Sequence, residues 1–396
     1  MFDKQAKRNV LIVWFILVCL SGSVHGQTVD IYLWEMPVIV DVDTQGAAAE
    51  IDILRDEIDR ILAAPALAPL RLNFSDLLEE GYWVYIERGR IITTLAAAYP
   101  YLLPDQQEAV QVYVRTMLES GDEAPWHSPL KSNGEGAERH DHQHAITLGR
   151  YPHFPDTGPV PTLHVLYGLW LYAERSGDWE TVSQYWEPIK QYYADNRETA
   201  VLYGQLGGFI GMARMAYQLD DAETLAAVDA DARSQFDAAL DIDLIAARQQ
   251  TSTFGFFDNA RKDGFFPGQP WMFLNASPEV MRYINDHADL RAAALDRVDQ
   301  FLQRYPVWWL VRAPYFSRWT GDESIGLTPE TFGIHMPFER WIRQTEPAQL
   351  RSYMRSAPLG TGDLYWIEAL VTAIEATGQV CWQDVRSGTP TCEAGS

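Results

Sequence analysis

The sequence predicts an all-α protein built as an (α/α)6 toroid, a double ring of six helical hairpins. Three observations predict it. Helical periodicity recurs throughout, and no segment alternates polar and apolar residues at strand period beyond a few positions. Two classes of helix alternate along the chain, one amphipathic and charged, the other apolar or small on almost every side. The connections between the classes are also unequal, short in one direction and long in the other.

The chain has 396 residues, of which 47% are hydrophobic and 21% charged, ample for a packed core and too apolar for disorder. That length would suit two or three ordinary domains, but closed rings of repeated units exceed the usual domain size. Residues 1–26 have the layout of a secretory signal: Lys4, Lys7 and Arg8, then an apolar run from Asn9 to Leu20, then small residues ending at Gly26. The run is short for a membrane span, so an uncleaved anchor is the weaker reading. Ile16-Leu17-Val18 before Cys19 lacks the small residue of a lipoprotein signal. Cleavage after Gly26 would remove three basic residues and Asp3, taking the formal charge from −23 to −25.

Residues 27–46 read as a lead-in and 47–377 as the toroid. Helices are predicted over 47–64, 83–98, 104–119, 161–176, 178–195, 198–218, 221–247, 277–286, 288–304, 331–345, 346–356 and 362–377. The segment 50–58 typifies the charged class, with Glu50, Asp52, Arg55, Asp56 and Glu57 among its residues. The segment 202–212 typifies the buried class, being apolar or glycine except for Gln205. Six of each suggest an outer and an inner ring. Asp178 is placed to cap the helix that starts at Trp179, and Gly177 to close the one before it. Trp170, Trp179 and Trp186 fall at hairpin spacing and read as packing residues. The remaining residues, 378–396, form a tail in which Cys381 and Cys392 bracket a Ser-Gly-Thr-Pro turn. Export favours a disulfide between them.

Residues 161–180, from Pro161 through His164, Trp170, Gly177 and Asp178 to Glu180, are followed by Tyr185-Trp186-Glu187-Pro188-Ile189-Lys190. In this hairpin the chain resembles the six-hairpin (α/α)6-toroid carbohydrate-active enzymes, and Leu206 to Phe236 is a weaker second instance. The resemblance extends over 45–377 as architecture. It implies a carbohydrate substrate and either glycoside hydrolysis or polysaccharide lysis, without selecting one family.

The loops 65–82, 120–160, 248–276 and 305–330 all emerge at the N-terminal ends of inner helices. Long loops in a compact domain are usually functional, so the site is expected on that face. They carry aromatic and hydrogen-bonding groups suited to a sugar ring. The candidate substrate-binding residues are Trp83, Arg150, Tyr151, His153, Trp271, Trp309, Trp319 and Trp366. Glycoside hydrolysis needs a carboxylic acid to protonate the leaving oxygen and a carboxylate to activate water or attack. Asp258 and Asp156, then Asp322 and Asp363, are the candidates, each beside aromatic or glycine-rich sequence; turn and cap roles compete for Asp156, Asp322 and Asp363.

Two alternatives follow. A lyase acting on a uronic-acid polymer would draw on His142 or His153 with Tyr151 and Arg150. A non-catalytic glycan-binding toroid is the other. His140, His142 and His144 offer imidazoles to a divalent metal, but the spacing matches no metalloprotease-type motif, and neither metal nor cofactor is expected. The acidic balance excludes nucleic acid as a partner and disfavours anionic membranes. It also weighs against a polyanionic substrate unless basic residues concentrate in the cleft. Asp220-Asp221 lacks the further aspartate of a terpenoid-cyclase motif, and no glycine-rich phosphate loop is present. The resulting expectation is a secreted or periplasmic monomeric hydrolase with no stable membrane association after signal cleavage.

Overall fold

A computed structural model describes residues 29–63, 88–119, 163–197, 203–239, 276–304, 306, 309, 330–356 and 364–392. Helix accounts for 76% of the interpretable residues, as an all-α reading requires, and one small sheet is the exception. Among the described residues no helix is long and apolar enough to cross a membrane.

The charged class comprises α1 (Ala48–Ala63), α3 (Pro104–Glu119), the pair α5 (Trp179–Gln184) and α6 (Trp186–Asn196), α8 (Ala222–Ala238), α10 (Ala288–Arg304) and α12 (Pro347–Ser356). The second class comprises α2 (Arg88–Ala98), α4 (His164–Ser176), α7 (Tyr203–Gln218), α11 (Glu330–Trp341) and α13 (Leu364–Glu375), together with α9 (Pro278–Asp286), which departs from it in being strongly amphipathic, with Arg282 and Asp286 on its wetter face. Within this second class α2 packs on α4, α4 on α7, α7 on α9, α9 on α11, α11 on α13, and α13 returns to α2.

Local chemistry sets the ends of these helices. Gly177 takes a left-handed conformation, φ 74°, and its N–H bonds the Ala173 carbonyl, closing α4. Asp178 then accepts from the Thr181 N–H as the N-cap of α5. Asp221 repeats this motif ahead of α8, accepting from Thr224 N–H. Ser277 caps α9, with Pro278 in the first helical position where its missing N–H costs nothing. The single helix expected over 178–195 is broken at Tyr185. Pro188 has no N–H to give the Gln184 carbonyl, so the ladder restarts at Trp186.

Each capping aspartate is also held by the preceding charged helix. Arg115 of α3 donates to Asp178, and Trp186 Nε1 of α6 donates to Asp221 at 2.9 Å. Hydrogen bonding outweighs partial burial and keeps the Asp178 carboxyl below its usual range. At the far end, Arg351 and Arg355 of α12 both bond Glu50 of α1, about 300 residues earlier. Close approach between α4 and α7 depends on glycine: a Cβ on Gly208 would lie 2.3 Å from the Leu163 carbonyl oxygen, and one on Gly211 2.4 Å from that of Leu166.

The lead-in and the tail are not the plain segments expected. After a helical turn over 29–34, β1 (Glu35–Val40) pairs antiparallel with β2 (Gln379–Asp384), which pairs with β3 (Pro390–Cys392). β1 and β3 are edges, and Pro37 sits on the former, where a missing donor is tolerated. The strands are short and their partners distant in sequence, so period-2 patterning did not reveal them. Cys381 and Cys392 face each other in register and form a disulfide.

Candidate functional site

The residues α2, α4, α9, α11, α13 and β1 enclose a cavity of about 130 Å³. A single water needs only about 10–15 Å³ on the same measure, so the space has room for several waters or for a larger guest. Its wall includes apolar groups (Trp170, Trp341, Met36) and an unusual number of charged ones, given that they lie on otherwise apolar helices.

Two charged groups occupy opposite stretches of α13. In the first, Arg90 of α2 donates through Nη2 to Glu368 Oε2 at 2.5 Å, and Thr94 Oγ1 donates to Glu368 Oε1 at 2.6 Å. The Arg90 guanidinium lies 3.7 Å from the Tyr365 ring centroid. Arg90 is buried, yet its Nε and Nη1 find no acceptor. His164, the first residue of α4, is buried, stacks on Tyr167, and its Nδ1 likewise finds no partner. Burial, reinforced by the nearby Arg90 charge, pushes the His164 imidazole down to about 3, so it is neutral at ordinary pH. Burial raises the Glu368 carboxyl above its usual range, opposed by Arg90 and Thr94. Glu368 keeps 19% of its side-chain surface accessible and Glu375 13%, so a guest in the cavity could meet either carboxyl.

In the second, two helical turns or roughly 10 Å further along α13, Glu375 accepts from Arg175 at 3.4 Å and from Arg340 at 2.7 Å. Arg175 also donates to the Ala96 and Ala97 carbonyls at the C-terminal end of α2, where a cation offsets the helix dipole. Arg340 Nη2 has no acceptor.

A third charged group borders the cavity through Tyr167 and Trp170. Arg214 of α7 and Glu279 of α9 are both fully buried and joined at 2.7 Å. Arg214 gives Nε to the Leu33 carbonyl and Nη2 to the Glu35 carbonyl, and it lies 4.3 Å from the Trp170 ring centroid. Tyr167 donates its hydroxyl to the other Glu279 oxygen. Every polar group in this set is paired. It ties the lead-in to the helices.

The sequence-predicted residues fall mostly elsewhere. Asp156, Asp258, Asp322 and Asp363, with Trp83, Arg150, Tyr151, His153, Trp271 and Trp319, lie outside the described residues, as do His140, His142 and His144. Trp366 is 8% exposed and packs in the core, away from the cavity wall. Trp309 is half-buried against Tyr353, ring centroids 4.5 Å apart, and is not a wall residue either. Trp170 and Trp186 are buried packing residues as expected from their spacing. Sequence reasoning missed Arg90, His164 and Glu368. The available signal was a charge inside a helix otherwise buried all round, which must be paired or used. Among the described residues no cluster of histidine, cysteine and carboxylate side chains has the makings of a metal site. No protein-family model, curated protein or solved structure matches this chain.

Proposed function

We propose that the chain is an (α/α)6 toroid that cleaves a carbohydrate bound within its inner ring, by glycoside hydrolysis. The circuit of six helices, each packed on the next and the last on the first, supports the ring, and the Arg351–Glu50 contact supports an outer ring that closes as well. The cavity would then lie on the axis of that ring. The observation that carries the reaction is Glu368, a carboxyl in a polar cavity whose burial favours the protonated form. A general acid for a glycosidic oxygen needs that state, with a second carboxylate opposite to activate water or attack. Asp156, Asp258, Asp322 and Asp363 are the loop carboxylates from which this partner would come. The Cys381–Cys392 disulfide fits an exported protein, and a secretory signal ending at Gly26 would deliver it.

The test is incubation of the secreted chain with neutral and uronic polysaccharides. New reducing ends without ultraviolet absorbance are the expected result, and Glu368→Gln should lower the rate by about 10²–10⁴-fold, the usual contribution of a general acid. Products absorbing as unsaturated uronates would replace hydrolysis by β-elimination. That second reading draws on Arg90, a cation that could hold a uronate carboxylate, but His164, pushed down to about 3, is too weak a base to take the proton, which would fall to another group. No cleavage of any polymer would leave a glycan-binding toroid.

A further inference from the structure

The geometry points to an acidic guest: we infer that the cavity selects a sugar bearing a carboxylate, with Arg90 as the group that recognises it. This rests on the carbohydrate reading above and names the substrate class. The chain as a whole is strongly acidic, at −23, but the described wall of the cavity is not. Among the described residues its wall carries three guanidinium groups, of Arg90, Arg175 and Arg340, against two carboxyls, of Glu368 and Glu375. His164 is neutral and adds no charge. Among these described residues the balance is positive even with both carboxyls ionised; a loop carboxylate opposite Glu368 would bring it to neutral, and protonation of Glu368 for catalysis would restore the positive excess.

Buried cations are normally compensated by charge and hydrogen bonds together. Arg175 meets this condition, with two backbone carbonyls and Glu375. Arg90 does not, because a guanidinium with five N–H groups reaches one protein acceptor, Glu368. Leaving such donors unmatched is costly, and a carboxylate is the acceptor whose charge and geometry suit a guanidinium best. Nε and Nη1 of Arg90 have no accessible surface as the side chain lies. A guest therefore engages Arg90 by turning the guanidinium on its Tyr365 seat, and in doing so loosens its hold on Glu368. Recognition of the acid and release of the Glu368 carboxyl are then one movement.

Calorimetric titration of the secreted chain with glucuronate, galacturonate, the methyl ester of each, glucose and acetate tests this. The expected result is at least tenfold tighter binding of one free acid than of its own ester, and weaker binding still of acetate. Arg90→Met should bring acid and ester to equal affinity. Equal binding of acid and ester by the unaltered chain would overturn the inference, as would acetate binding as tightly as the uronates, or no binding by any of the sugars. If Arg90→Met does not fold, the acid-to-ester ratio of the unaltered chain still decides. Cleavage of neutral polymers together with equal binding would remove this inference and leave the proposed reaction. Acid-selective binding with no polymer cleaved would do the reverse.

Discussion

Arg214 and Arg90 are both almost completely buried, both paired with a glutamate on another helix, and both seated against an aromatic ring. They differ in what surrounds the remaining nitrogens. Arg214 spends all three on Glu279 and the carbonyls of Leu33 and Glu35, and Tyr167 completes the carboxylate. Arg90 spends one, on Glu368. Saturation marks the first as architecture. The second leaves two donor nitrogens open beside a cavity, and the proposed recognition rests on that difference.

That contrast is exposed to measurement. Breaking the saturated pair should be the most damaging change: Arg214→Met leaves the Glu279 carboxylate sealed without its cation, a loss of about 3–5 kcal/mol. Urea unfolding followed by circular dichroism would read it, and a shift below about 1 kcal/mol would class the pair with ordinary surface bridges.

Next comes acid. His164 and His335 are both fully buried and held down to about 3. The unfolded chain therefore binds more protons than the folded one between about pH 6.5 and 3. The stability these histidines permit is complete above pH 6.5 and is lost as pH falls toward 3, by up to about 1.4 kcal/mol per pH unit for each. Melting curves from pH 7.5 to 5 should show a steepening decline, and His164→Asn should flatten it. An unchanged slope in that variant would place His164 in water.

Arg90→Met should cost less than Arg214→Met, about 1–2 kcal/mol. One hydrogen bond to a charged partner is lost, and Glu368, already raised by burial, can take up a proton instead of remaining a stranded charge. If Arg90→Met proved as harmful as Arg214→Met, Arg90 would be a structural residue and the contrast would fail. The smallest effect belongs to the periphery. Arg351→Ala leaves Arg355 still bonded to Glu50, so only about 0.5–1 kcal/mol should go.

How much of this was legible in the sequence follows the range of the interactions. Eleven of the twelve expected segments hold a single helix among the described residues, because periodicity and caps are local: Gly177-Asp178 announces a helix end and a helix start within two residues. The break at Tyr185 was signalled by Pro188 and overlooked. The sheet was not legible, because β1 reads Glu-Met-Pro-Val-Ile-Val and its partner lies some 340 residues away. The cavity was illegible for the same reason. Arg90 and Glu368 are separated by 278 residues, and neither sits in a motif. What a single sequence does offer is the anomaly of charge on a buried helix, seen at Arg90, Arg214 and Glu368. It says that a group has a task without saying which.

The sheet that joins residue 35 to residue 384 has a consequence in time. A ribosome delivers β1 and α1 first and their partners, β2 and the α12 arginines, last. Until α12 and β2 emerge, the first helix has no Arg351 or Arg355 for Glu50, and β1 has no paired strand. Contacts of such long sequence separation form slowly, after a large loop has been closed. The chain therefore remains open for as long as it is being made. The segment made last is the one that completes both the sheet and the cluster around Glu50.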